Sequence, residues 1–266
     1  MTAAPGVVLY PKPAGRTSHD VVADLRRTLP RGTKAGHAGT LDPFATGLLL
    51  LLVGQATRAQ RFFMALPKTY RAVARLGWVS HTGDREGRLE QTGRAPDELE
   101  LPTGELLQRP PAYSALKVEG RRAYELARRG EDVELEERPV TVHRFELLWR
   151  EGDRCGLEIE CSSGTYVRSL VADLGDAYCE ELERTAIGPF KLEETDPERV
   201  LPLSEALAFL PERVLDADAA AAVGHGRRLA GAGDDPAVRL THAGEIVAIG
   251  EPRGDELHPA VVFAPR

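Results

Sequence analysis

A mixed α/β chain of the α+β kind is what the sequence predicts, and three observations carry this. Apolar and polar residues alternate, as in half-buried strands, at 70–78 and 156–161, and 140–149 is strand-like. Val21, Val22, Leu25 and Leu29 recur instead at helical spacing. Between these patterns, residues 48–53 are apolar throughout, too apolar to lie on a surface.

Taken in order, Val7, Val8, Leu9 and Tyr10 predict a strand that Pro11 and Pro13 break into a loop. Thr17 or Ser18 then starts a helix that Pro30 stops. The segment GHAGTLDPFATG at 36–47 packs three glycines, one proline and two threonines into twelve residues, which forces irregular backbone ahead of the apolar run. Residues 83–105, acidic and containing glycine and proline, predict a loop or insertion with a short helix. A loop followed by a helix is expected over 113–130, with Gly130 as its C-cap. Strands at 140–149 and 156–161 lead through a turn at 162–164 into a helix over 166–174, and a short helix is expected over 203–210. The Ala-rich stretch 217–222 carries little information. Strand-like alternation resumes at Val238, Leu240, Ile246, Val247 and Ile249 and closes at Val261, Val262 and Phe263. The chain therefore divides into a main domain, 1–212, and a small β-rich appendage, 213–266, which is short for an independent core.

With 266 residues, 42% hydrophobic and 28% charged, the chain has the composition of an ordinary globular protein. The longest apolar run is far below the roughly 20 residues of a membrane span. Neither a span nor a secretory leader is expected, and the cytoplasm is the expected location. Cys155, Cys161 and Cys179 are odd in number and lack CxxC spacing, so neither a disulfide framework nor a zinc site is expected. The seven histidines show no metal-ligand spacing either, and no metal is predicted. The net charge of −7 argues alone against a polyanionic partner. Its distribution points the other way: residues 1–80 hold eleven Lys or Arg against three carboxylates. A second basic cluster spans Arg109, Lys117, Arg121, Arg122, Arg128 and Arg129. A basic face on an acidic body fits these counts, as does an ordinary solvated helix surface.

Between Asp24 and Asp84 the only carboxylate is Asp42, inside the glycine-rich segment and followed by Pro43. An aspartate there reads first as a turn residue or a helix N-cap, with a lone nucleophile whose ionised form surrounding cations favour as the functional alternative. Spacing does not choose among these. The segment lacks the GK[ST] ending of a P-loop and the GxGxxG of a dinucleotide fold, and no GxSxG elbow is present, so nucleotide-cofactor chemistry has no support.

Five blocks, YPKPAGRTS (10–18), KAGHAGTLDPFATGLLLLLVGQATR (34–58), KTYRAVARLG (68–77), PPAYSALKVEGRRAYELARRG (110–130) and CSSGTYVRSLVADLG (161–175), stand in this order. Together they resemble the bacterial tRNA pseudouridine synthase B family. The resemblance implies a pseudouridine synthase fold with a largely antiparallel sheet, and the tail resembles an abbreviated PUA domain through VGHGRRLAG and GEIVAIGEP. The implied activity is isomerisation of the uridine at position 55 in the TΨC arm of tRNA, with no cofactor. No obligatory protein partner is implied, and a monomer is expected.

By the same resemblance, Asp42 matches the family's nucleophile and Arg168 the arginine that positions it. Tyr70 matches a stacking tyrosine that is also the candidate acid/base for the C5 proton, and Tyr166 a second active-site tyrosine. Leu182 matches an apolar wall, and His37 a histidine that fills the space a flipped base leaves. Lys12 and Pro13 match a KP loop, while Tyr113 and Lys117 lie in a YSALK block where basic and aromatic groups meet RNA. The segment 58–75 and the helix around Arg121 and Arg122 are the expected phosphate contacts. The sequence departs from the family over 174–190, which is shortened and carries Glu183 where a basic residue is common.

Overall fold

Thr17 caps helix α1 (Ser18–Thr28) with a complete capping box: its side chain accepts from the Asp20 amide while the Asp20 carboxylate accepts from the Thr17 amide. The helix connects β1 (Gly6–Lys12) to β2 (Ala35–His37) and then β3 (Thr46–Val53). Strand β3 is apolar on both faces because both are covered. Leu48, Leu50 and Leu52 enter one core cluster, whereas Leu49, Leu51 and Val53 pack with Val8, Val21 and Val22 in another. In this computed structural model the description covers residues 5–263 except 115, 119, 130 and 132–134, and the backbone alone for 117, 118, 122, 125, 127 and 128.

Helix α2 (Gln60–Ala65) leads into β4 (Lys68–Leu76), whose Tyr70, Ala72 and Ala74 are buried while Arg71 between them is exposed. The chain continues through β5 (Trp78–Ser80), β6 (Leu89–Gln91), β7 (Gly104–Gln108), β8 (Lys117–Val118), β9 (Arg121–Arg122) and α3 (Ala123–Arg128). Then come β10 (Arg138–Glu151), β11 (Arg154–Cys161), α4 (Val167–Ala172), β12 (Ala177–Ile187), β13 (Phe190–Lys191), β14 (Leu201–Pro202) and α5 (Leu203–Ala206). The large sheet runs β14-β1-β3-β12-β4-β11-β10-β7, with β2 added on β3 and β13 on β12. All its pairings are antiparallel except β3 with β12, which meet in parallel at Thr46–Gly47 and Glu183–Arg184. The mixed, largely antiparallel fold read from the sequence is the fold observed.

Several local expectations need correction. No helix lies between 83 and 105: the segment forms the β5–β6 hairpin and the start of β7, because Gly83, Gly87, Gly93, Pro96 and Pro102 leave no apolar helical stripe. The helix within 113–130 is confined to Ala123–Arg128, and Gly130 lies outside the described residues. The helix expected over 166–174 is only Val167–Ala172, and that over 203–210 only Leu203–Ala206. The shortened 174–190 segment supplies β12, a central strand of eleven residues.

The Ala-rich stretch is α6 (Ala217–Gly224), capped by Asp216, between β15 (Glu212–Val214) and β16 (Leu229–Ala230). With β17 (Val238–His242), β18 (Glu245–Arg253) and β19 (Glu256–Val262) the tail forms a sheet ordered β15-β17-β18-β19-β16. One face buries Leu215, Val223, Leu240 and Leu257. Ala237, Ile249, Val261 and Phe263 join the cluster of Val7, Leu48, Phe63 and Leu203 in the main layer. No helix among the described residues is long and apolar enough to cross a membrane.

Candidate active site

The segment leading from β2 to β3 has little regular hydrogen bonding of its own, and buried polar side chains from three elements hold it. Lys12, 1% exposed at the end of β1, donates to the carbonyls of Pro13 (2.8 Å), Arg16 (2.8 Å) and Pro43 (3.3 Å). Ser18 accepts from the Leu41 amide at 3.0 Å. Arg184 of β12, also 1% exposed, donates to Leu48 O at 2.7 Å, Gly39 O at 3.2 Å and Thr40 O at 3.4 Å. Burial lowers the Lys12 ammonium to about 8, against the nearby Asp42 charge, which raises it. Gly47 sits at φ +108°, where a Cβ would overlap the Arg184 backbone, so the parallel β3–β12 pairing requires glycine there.

The loop so held presents Asp42 to Arg168 on the first turn of α4. Nε of Arg168 donates to Oδ2 at 2.8 Å and Nη2 to Oδ1 at 3.2 Å, a two-point fork that fixes the plane of the carboxylate. Arg168 is 3% exposed and its remaining donors are used. Nη1 donates to Thr82 O at 2.7 Å and lies 3.3 Å from Oδ2 of Asp84, and Nη2 also donates to Tyr113 O at 2.9 Å. Asp84 is itself buried, with Oδ1 accepting from Thr82 Oγ1 at 2.6 Å and from the Glu86 amide at 3.0 Å. Two carboxylates thus share one guanidinium, and only Asp42, about a third exposed, also opens to solvent.

Asp42, Asp84 and Arg168 line a cleft of about 750 Å³, together with His19, His81, Tyr113 and Tyr124. His81 Nε2 and the Tyr113 hydroxyl are 2.9 Å apart, with the rings edge to face at 5.2 Å. Of the residues singled out in the sequence, Asp42, Arg168 and Tyr113 meet in this cleft. Tyr70 is 9% exposed in the core beside it, with its hydroxyl raised by burial against the opposing effect of Arg184. Tyr166 lies off the cleft: its ring is 5.1 Å from the Arg138 guanidinium, and its backbone is clamped by Gln108 at 2.8 and 3.0 Å. Leu182 lines a separate hollow of about 330 Å³ with Phe44 and Trp149. His37 lies beside the lining residue His19, ring centroids 5.3 Å apart. Burial first, then the His19 and Arg184 charges, lowers His37 to about 4.

Lys12 is turned inward and holds the loop, while Pro13 is exposed. Lys117 is paired through its backbone with Arg122. The cations at 58–75 have partners within the chain, and Arg58, Arg61 and Arg71 remain exposed. Arg58 donates to Val262 O, Arg61 pairs with Glu251 at 2.6 Å, Arg71 with Glu158 at 3.5 Å and Arg75 with Asp153 at 2.9 Å. Lys68 is buried and donates to Met64 O and Leu66 O. Asp84, Ser18 and Arg184 did not stand out in the sequence. Asp84 had one signal, as the next carboxylate after Asp42, whereas nothing local marks Arg184 as a partner of residues 39–48. No group of three or more His, Cys, Asp or Glu that could hold a metal occurs among the described residues.

A carboxylate forked on a buried arginine stands in a largely antiparallel α+β fold, and residues 26–167 match the TruB family of pseudouridylate synthases over its N-terminal domain. The chain belongs to that family. It is 40% identical to the tRNA pseudouridine synthase B of Arthrobacter sp. (strain FB24), over 98% of this chain and 97% of that one. It is 43% identical to the protein of that name from Thermobifida fusca (strain YX), over 98% and 99% of the two chains. Among solved structures, the fold matches a chain of a Cbf5–Nop10–Gar1 complex with a TM-score of 0.71 and 27% identity, covering 100% of this chain and 90% of that one.

Proposed function

We propose that this chain converts the uridine at position 55 in the TΨC loop of tRNA to pseudouridine, as a stand-alone enzyme without cofactor. The Asp42–Arg168 fork in an open cleft is the observation that carries the reading. The relatives named tRNA pseudouridine synthase B, aligned over nearly their whole length, support tRNA as the substrate. In the reaction the N1–C1′ bond breaks, uracil turns, C5 bonds to C1′, the C5 proton leaves to solvent and N1 takes up a proton, so that product and substrate are isomers. Asp42 is the nucleophile, forming a transient covalent bond to the ribose or the base. Arg168 keeps that carboxylate aimed through its two-point fork, with lone pairs left to face the cleft. The target base is stacked within the RNA arm and must be extruded, at a cost of a few kcal/mol.

Tritium release from a tRNA transcript carrying 5-tritiated uridine, with the modified position mapped, tests the whole reading. Wild type is expected to release tritium at the TΨC-loop uridine, and Asp42→Asn to bind the transcript equally well with no release. Turnover retained in Asp42→Asn would remove the nucleophile assignment. Tight binding without release by wild type would favour a binding role.

A further inference from the structure

Away from the catalytic cleft, a concavity of about 420 Å³ opens where the end of α1, the start of β2 and α2 come together. Arg26, Thr33, Lys34, Thr57 and Gln60 line it, and no carboxylate does. The other three concavities described each carry at least two acidic residues. Two of its side chains are fixed by bonds to β2: Arg26 donates to Ala35 O at 2.6 Å and Gln60 to His37 O at 2.7 Å. The exposed Lys34 ammonium and the Thr33 hydroxyl have no partner among the described residues, unlike the cations of 58–75. The backbone is also open there, since a Cβ built on Gly32 or Gly36 would meet no atom within 4 Å.

We propose that this concavity binds a backbone phosphodiester of the substrate RNA, with Lys34 as the charge that neutralises it. An acidic chain that leaves one hollow free of carboxylates, with an unpaired ammonium and neutral donors in it, offers a local well for an anion. Lys34 lies eight residues before Asp42, a path of at most roughly 29 Å, so one RNA strand reaches both sites within a few nucleotides. The proposal rests on the RNA substrate of the preceding section and adds a phosphate contact at Lys34 to those expected from 58–75.

The test measures binding of the unmodified transcript to Asp42→Asn protein, with and without Lys34→Gln, from 0.05 to 0.3 M salt (roughly the range where counterion release dominates). Lys34→Gln is expected to raise Kd about 3- to 10-fold at low salt and to reduce the slope of log K against log salt by about 0.7–0.9, the loss of one phosphate contact. Lys34→Arg is expected to keep the slope. In the otherwise wild-type enzyme, Lys34→Gln should raise KM and leave kcat at saturating RNA unchanged. An unchanged Kd and slope, or a weaker Kd with an unchanged slope, would overturn the phosphate site while leaving the synthase reading intact. Absence of RNA binding and tritium release in the wild type would instead remove the reading on which it rests.

Discussion

Arg168 is the residue on which the most interactions at the site converge. Its guanidinium is fully engaged by Asp42, Asp84 and the carbonyls of Thr82 and Tyr113, so it fixes α4, the 81–88 loop and the 39–47 loop together. Lysine retains the charge but not the planar fork, and would leave at least one carboxylate or carbonyl in the buried site unpaired. Arg168→Lys is therefore expected to lower kcat by about 10² or more, since small displacements of a reacting group cost that much, and to destabilise the fold by about 3 kcal/mol. Single-turnover tritium release and urea unfolding check the two effects separately. At His37 the sign follows from burial. In the native protein it stays neutral until about pH 4, whereas the unfolded chain takes up a proton at its ordinary 6.5. The native state has its full advantage above pH 6.5 and loses it as pH falls towards 4, with no further loss from this group below that. Urea midpoints between pH 7 and 4.5 should fall less steeply in His37→Gln than in wild type; parallel declines would contradict the burial assigned to this ring.

At the scale of elements, the 39–47 loop and β12 depend on one another. Gly47 pairs with Arg184 in the parallel β3–β12 ladder, and Arg184 in turn holds the carbonyls of Gly39, Thr40 and Leu48. Gly47→Ala would place a methyl against the Arg184 backbone at a φ that disfavours alanine, and a cost of about 2–4 kcal/mol is expected from overpacking and strain combined. Gly36→Ala, with open space at its Cβ, is expected to change stability little. Denaturant midpoints of the two variants compare them directly. This dependence also explains what the sequence could disclose. Asp42 is visible because it is alone among apolar and basic neighbours, and Arg168 because it lies in a recognisable block. Strands such as β4 are visible because a half-buried strand writes its alternation into the chain. The partnership of Arg184 with residues 39–48 spans some 140 positions and is fixed by sheet order, which no local pattern encodes. Asp84 is hidden for a related reason: acidic, glycine-rich stretches usually mark solvated loops, and its burial comes from the packing of its loop against Arg168 and β12. The alanines of α6 gave no signal because a nearly uniform run has no face to detect.

At the scale of the whole molecule, the C-terminal sheet completes a core that the main layer leaves open. Ile249 is fully buried and Phe263 and Val261 nearly so, in one cluster with Val7, Leu48, Leu50 and Phe63. Polar ties reinforce the seam: Arg61 with Glu251 at 2.6 Å, Arg58 to Val262 O, and Arg239 to Ser204 O at 3.2 Å. The surface pair Arg61–Glu251 contributes at most about 1 kcal/mol, so apolar burial carries the seam. Because the two sheets share this cluster, they are expected to unfold as one cooperative unit although the tail is short for a core of its own. Ile249→Ala should then cost about 2–5 kcal/mol, the range for a large-to-small change at a filled site. It should shift a single thermal transition seen equally by circular dichroism and by fluorescence of Trp78 and Trp149, both of which lie outside the tail. If the tryptophan signal kept its wild-type midpoint while a separate transition moved, the shared core would not couple the two sheets. A coincident shift would tie the β1–β3 framework, and through it the Lys12 and Arg184 anchors of the Asp42 loop, to residues more than 200 positions away from that loop in the chain.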